Sequence, residues 1–291
     1  VARLSKAHNA IVVNVNANQI GAIESFVGVA SVRTAVDYAF DLSETVPYIG
    51  AAAVQALGYD GTGIRVAVLD SGIDYTHKNL GGPGTVAFYN QCYGTLPNPA
   101  APGAEAGQPR NAAPTGACAN FFGPSAPKVI GGFDFLGELS GANNNPSVLD
   151  ANPIDFQGHG THVADIIAGR SADGTRKGVA PGAKLYAVKV CSAVSTSCNG
   201  VALLQGMDFS LDPNQDGDLS DAVDIINMSL GSGYGQREDD LSAASTIAAD
   251  FGVVVVVSAG NAANRPFITG SPSTTPGVIS VAQTQVPSAI A

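Results

Sequence analysis

Three short phrases in the chain end in side chains that can move a proton or hold a developing charge. Val66-Ala67-Val68-Leu69-Asp70 is an apolar run that finishes on a carboxylate and is followed by a glycine turn at Gly72. A carboxylate at the end of a buried strand can orient a histidine and offset its positive charge, and in open α/β sheets sites form at the carboxyl ends of strands. Gly158-His159-Gly160-Thr161-His162 places an imidazole between two glycines at the start of a helical pattern. Glycine on both sides lets a helix N-terminus approach another segment closely, and the helix dipole there disfavours a protonated ring and keeps a base neutral. Val257-Ser258-Ala259-Gly260-Asn261 ends a valine run in small residues and an amide able to donate to an oxyanion. Taken singly, each has an ordinary reading: an aspartate capping a turn, a hydrogen-bonded core histidine, an asparagine in a loop after a strand.

Other chemistries fit these phrases poorly. A zinc site of the His-Glu-x-x-His kind needs two histidines four apart and a glutamate, whereas His159 and His162 are three apart. A dinucleotide site needs Gly-x-Gly-x-x-Gly after its first strand, where this chain has Asp70-Ser71-Gly72-Ile73-Asp74.

A fourth cluster is Asp212-Pro213-Asn214-Gln215-Asp216-Gly217-Asp218-Leu219-Ser220-Asp221. Oxygen donors at alternating positions, followed by a glycine, wrap a hard cation. The expectation is a structural calcium ion held by Asp212, Asn214, Asp216 and Asp218, with Asp221 standing in for the glutamate that such loops carry in twelfth place, where this chain has Val223. The alternative is a solvated acidic loop. The four cysteines, at 92, 118, 191 and 198, form no Cys-x-x-Cys pair. Proximity favours the pairings 191–198 and 92–118, the alternative being free buried thiols; disulfides accord with a Gly-rich, Lys-poor, secreted character.

The elements that must position these residues alternate. Ile64–Leu69, Lys184–Val190, Ala222–Met228 and Val253–Val257 read as buried parallel strands. His159–Ala168, Gly200–Phe209 and Asp239–Asp250 read as helices between them. The expected fold class is α/β, a parallel sheet flanked by helices on both faces. Residues 81–127, rich in Gly, Pro, Ala and Asn, read as a long surface insertion. Ahead of the α/β pattern, residues 1–43 read as a small α+β unit: a strand at Ala10–Val15, a helix over Asn16–Phe26, and extended chain at Val29–Thr34 and Ala35–Phe40. Residues 44–291 then form the main domain.

Composition limits the partners. The chain has 291 residues, 45% hydrophobic and 13% charged, with a formal net charge of −10. Such a charge is repelled by phosphate backbones, so a nucleic-acid partner is not expected. No apolar run reaches the roughly 18 residues of a membrane span. Val1 opens the chain with no basic, apolar leader visible, and the lack of an initiator Met suggests that the start is missing.

The phrases Ala67–Asp74, Gly158–Ala164, Ile226–Gly231 and Val256–Asn261, in this order, resemble the aspartate, histidine, substrate-strand and oxyanion segments of the subtilisin-like serine proteases (subtilases), over roughly Val46 to Val281. The resemblance implies a serine endopeptidase that hydrolyses peptide bonds through an Asp/His/Ser triad. Asp70 would orient His159, His159 would be the general base, and Asn261 would stabilise the oxyanion. Ser229, Leu230 and Gly231 would pair with substrate backbone, and Ser258, Ala259 and Gly260 would form the opposite wall of the pocket. Ser271 in Gly270-Ser271-Pro272 resembles a substrate-side turn; Gly233 and Tyr234 have no assigned place. The family's serine lies in a Gly-Thr-Ser segment, and no such triplet follows Asn261. The nucleophile is therefore expected beyond Ala291, and the chain alone is expected to be inactive. The stretch Val278–Thr284 resembles relatives that carry a protease-associated domain ahead of the serine. The N-terminal unit resembles the end of an inhibitor-type propeptide, processed near Tyr38–Glu44, and would be an intramolecular partner; an ordinary extension is the alternative. The resemblance also implies a secreted, extracellular protein acting on proteins or peptides. The rival reading is a non-catalytic peptide-binding pseudoprotease, told apart by whether a Gly-Thr-Ser segment follows.

Overall fold

A computed structural model describes residues 2–4, 10–12, 16–29, 32, 42–93, 113–137, 149–193, 197–262 and 265–283. The chain divides into two compact units, Val1–Asp41 and Leu42–Ala291. In the first, strand β1 (Ala2–Leu4) pairs antiparallel with β2 (Ala10–Val12). The helical stretch expected at 16–26 is a 3-10 turn, Ala17–Gln19, leading into the short helix α1 (Ile20–Glu24). Most of the extended chain expected at 29–40 lies outside the described residues. So does part of the processing segment expected at Tyr38–Glu44, whose residues 42–44 open helix α2 of the second unit.

The second unit begins with α2 (Leu42–Tyr48) and α3 (Ala51–Ala56). The first central strand, β3 (Arg65–Asp70), and helix α4 (Val86–Tyr93) follow. Strand β4 (Val129–Asp134), helix α5 (His159–Ala168) and strand β5 (Lys184–Lys189) come next. The chain continues through α6 (Gly200–Leu211), β6 (Ile225–Met228), α7 (Asp240–Asp250), β7 (Val254–Ser258) and β8 (Ile279–Val281). The sheet order is β4-β5-β3-β6-β7-β8, and every pairing is parallel.

The sheet has a core on each face. Alternate residues of β3 serve the two sides: Val66 and Val68 pack with Ala164 and Ala168 of α5, while Ala67 and Leu69 pack with Leu203 and Met207 of α6 and Ala248 of α7. That division follows from the two-residue period of a strand, and burying one such aliphatic side chain contributes about 1.5–3 kcal/mol. A parallel sheet buried on both faces explains why β3, β5 and β7 read as near-continuous apolar runs.

Three expectations need correction. Residues 81–127 are not wholly a surface insertion: Cys92, Cys118 and Phe122 are buried in the α5-side core, where the Cys92–Cys118 disulfide ties α4 to the chain leading into β4. The strand expected at Ala222–Met228 begins at Ile225, because the chain before it is taken up by a 3-10 turn at Leu219–Asp221. Strands β4 and β8 were not foreseen. Both cysteine pairings expected from proximity are present.

Candidate functional site

β3 delivers Asp70 to the carboxyl edge of the sheet, where its side chain is only 2% exposed. α5 begins at His159, and the left-handed conformation of Gly158 (φ 97°) turns the chain into the helix. The two meet with His159 Nδ1 at 2.7 Å from Asp70 Oδ1. A carboxylate only accepts, so Nδ1 carries the proton and Nε2 keeps a lone pair. The histidine side chain is 50% exposed, enough for Nε2 to serve a ligand. The hydrogen bond to Asp70 raises the imidazole pKa above its ordinary value; partial burial opposes this, and the charges of Asp70 and Asp155 add to it. The helix-terminal dipole was expected to keep this ring neutral, but the adjacent carboxylate is the larger influence.

Asp155, not singled out in the sequence, is central to the local geometry. Its carboxylate is buried and accepts from Ser71 Oγ (3.0 Å), Gly158 N (2.9 Å), Thr161 N (3.0 Å) and Thr161 Oγ1 (2.6 Å). Ser71 Oγ in turn accepts from Gly160 N at 2.9 Å. The available signal was its place just ahead of a helix start, where aspartate satisfies free amides. Lys189, at the end of β5 and in register with both Asp70 and Asp134, was likewise missed. It is fully buried and forms an ion pair with Asp134 at 3.1 Å, which ties the carboxyl ends of β5 and β4 together.

Asp70 and His159 line a groove of about 930 Å³ whose walls include Ser229, Leu230, Gly231 and the Cys191–Cys198 disulfide. The structure thus gathers Asp70, His159 and Ser229–Gly231 around one space. Ser258 lies beside that wall, its Oγ donating to Leu230 O at 3.2 Å, but Ser258, Ala259, Gly260 and Asn261 are not part of this lining. Asn261 is exposed beyond the end of β7. Ser271 does line the groove, pairs through its backbone with Ser232, and donates to Asp239 at the start of α7. Burial acts to raise the Asp239 carboxyl, yet hydrogen bonds from Ser271 and Ser242 outweigh it and hold the group below the usual carboxylate range. Tyr234 follows this wall in a left-handed conformation (φ 58°).

The acidic loop lies between α6 and β6. Asp212 Oδ1 and Asn214 Oδ1 converge on the amide of Asp216, at 3.2 and 2.8 Å. Asp218 accepts from Ser220 N at 3.0 Å. Among the described residues no group of three or more His, Cys, Asp or Glu is gathered as a metal site. Asp221 Oδ1 is nonetheless buried without a hydrogen-bond partner. That orphaned oxygen is a hard donor of the kind calcium takes.

The model of the subtilase family matches residues 61–291. The minor extracellular protease Vpr of Bacillus subtilis (strain 168) is 31% identical over 252 residues, 84% of this chain and 23% of that protein. Subtilisin DY of Bacillus licheniformis is 30% identical over 223 residues, 75% of this chain and 56% of that protein. The major intracellular serine protease of Bacillus subtilis (strain 168) is 30% identical over 221 residues, 76% of this chain and 50% of that protein. The chain therefore spans from under a quarter to just over half of the length of these relatives.

Proposed function

The chain belongs to the subtilase family, and on that premise we propose that it carries the Asp–His pair and the substrate groove of a serine endopeptidase whose nucleophile lies in sequence beyond Ala291. The observation that carries the reading is the 2.7 Å contact between Asp70 and His159 in a groove also lined by Ser229–Gly231. Asp70 holds the ring so that Nε2 faces the reacting groups. His159 takes the serine proton as the hydroxyl attacks the scissile carbonyl, then returns it to the leaving amine. Asn261 donates to the oxyanion, Ser229, Leu230 and Gly231 align the substrate backbone, and Ser258, Ala259 and Gly260 form the opposite wall.

The supporting parts follow the same reading. Calcium is held by Asp212, Asn214 and Asp216, with Asp218 and Asp221 beside them, and stiffens the loop that leads through β6 into Ser229. Residues 1–43 act as the end of a propeptide that serves as an intramolecular inhibitor. The substrates are proteins or peptides. Secretion is supported by the two disulfides, and among the described residues no helix is long and apolar enough to cross a membrane.

A fluorophosphonate probe and casein test the proposal. The 291-residue chain should be neither labelled nor hydrolytic, whereas a protein continuing past Ala291 should do both and lose both on His159→Ala. Labelling of the chain itself, blocked by His159→Ala, would place the nucleophile within it. An inert longer protein would favour a non-catalytic peptide-binding role.

A further inference from the structure

Asp70 ends a strand and His159 begins a helix 89 residues later, and neither element dictates where the other ends. Side-chain bonds join the two segments directly, between Asp70 and His159, Ser71 and Gly160, and Asp74 and Thr161, and one further group bridges them. Asp155 is 3% exposed, and its two carboxylate oxygens take four donors. One donor, Ser71 Oγ, belongs to the residue after Asp70; the other three come from Gly158 and Thr161, which bracket His159. Ser71 Oγ completes the loop by accepting the amide of Gly160, and Thr161 Oγ1 accepts the amide of Asp74 at 2.9 Å. The backbone carbonyl of Asp155 is itself held by Tyr89 Oη at 2.9 Å, so α4 steadies the segment from outside.

We propose that Asp155 is a positioning residue, whose buried carboxylate fastens the first turn of α5 to the exit of β3 and so sets the contact between Asp70 and His159. The inference rests on the reading of that pair as a general base and its orienting group. A plain helix cap would serve the amides of Gly158 and Thr161 alone. The Ser71 bond is the part that a cap does not need, because it reaches across to the strand that carries Asp70. Replacing one Asp155 oxygen with an amide would set donor against donor at Thr161 and release the helix start, and the Asp70–His159 bond would lengthen.

The test is an NMR titration of the His159 imidazole in the 291-residue chain, with the downfield Nδ1 proton as a second readout. The charged groups that act on this ring are Asp70 and Asp155, so the variants must separate charge from geometry. Asp155→Asn removes both; Ser71→Ala cuts the strand–helix bridge and changes no charge. Asp70→Asn gives the value of the ring with no orienting carboxylate. In the parent chain His159 should titrate above an ordinary imidazole; if it does not, the reading of the pair fails, whatever Asp155 does. With the parent raised, Asp155→Asn and Ser71→Ala should both bring the titration down towards the Asp70→Asn value and broaden or abolish the Nδ1 resonance. A lowered melting temperature with the titration and resonance unmoved would make Asp155 merely structural. Movement in Asp155→Asn but not in Ser71→Ala would show charge acting through space and would overturn the proposal as well. Should Asp155→Asn fail to fold, an unmoved titration in Ser71→Ala still overturns the proposal.

Discussion

Gly160 passes so close to Gly72 that a β-carbon on it would lie 2.1 Å from the Gly72 carbonyl oxygen and 3.0 Å from the Asp70 β-carbon. The helix that carries His159 is thus seated directly on the turn that follows Asp70. Gly160→Ala should push the first turn of α5 away, at a cost of about 1–3 kcal/mol for overpacking. The denaturant midpoint should fall and the His159 titration should return towards an ordinary imidazole. Gly200, the first residue of α6, has nothing within 4 Å of the corresponding position. Gly200→Ala should be neutral or stabilising by up to about 1 kcal/mol, which makes it the control.

The raised pKa of His159 predicts a direction of pH dependence. The folded chain binds this proton more tightly than the unfolded chain, whose imidazole titrates near 6.5. The stabilisation is fully present below that value and is lost as pH rises through the higher folded value. Thermal melts between about pH 5 and about pH 9 should show the advantage of the parent over His159→Gln largest in acid and shrinking above neutrality. A difference independent of pH would mean that the pair does not couple to folding.

The two disulfides should differ in their effect on stability. They close loops with sequence separations of 26 and 7 residues. Loop entropy alone gives about 3.5 kcal/mol for Cys92–Cys118 and about 2.4 kcal/mol for Cys191–Cys198. The double substitution Cys92→Ala, Cys118→Ala should therefore lower the chemical-denaturation midpoint more than Cys191→Ala, Cys198→Ala. The latter pair lines the groove, so its loss should act more on ligand binding there.

Calcium should stabilise the chain through the loop at Asp212–Asp221. Binding to the folded form alone contributes RT ln(1 + [L]/Kd), about 2.7 kcal/mol at 100 times Kd. Chelation should lower the melting temperature, and Asp216→Ala should remove most of that dependence. With Val223 where such loops carry their last glutamate, affinity should be modest. No change in melting temperature with chelator and no heat of binding by calorimetry would return the loop to a solvated acidic turn.

In a protein that includes the nucleophile, Asn261→Ala should lower kcat by roughly 10²–10³, the usual loss for one oxyanion donor, with a smaller effect on KM. The assignment fails if kcat is unchanged. Asn261 is exposed and apart from the groove lining, so the variant should leave the fold and the melting temperature unchanged.

The parts of the fold whose signals are local could be read from the residues alone. The apolar runs at β3, β5 and β7, and the glycines around His159, mark strand ends and a helix start within a few residues, and the family phrases sit on those ends. Proximity along the chain was likewise enough to suggest both cysteine pairs. Where the signal is spread over distant segments, it took the packing of the folded chain to reveal the outcome. β4 contains Gly131 and Gly132, which weaken strand propensity; they are there because a β-carbon would lie 2.7 Å from the Tyr186 ring or 2.0 Å from the Ala187 carbonyl oxygen of β5. Lys189 looks out of place in a buried strand until Asp134 arrives from a neighbouring one, since a buried charge persists only when paired. Asp155 is an unremarkable aspartate in sequence, and its four donors come from Ser71, Gly158 and Thr161. A strand or helix is specified by residues that are neighbours in the chain, whereas the distance from Asp70 to His159 depends on how two such elements pack, and that is settled by the groups that only folding brings between them.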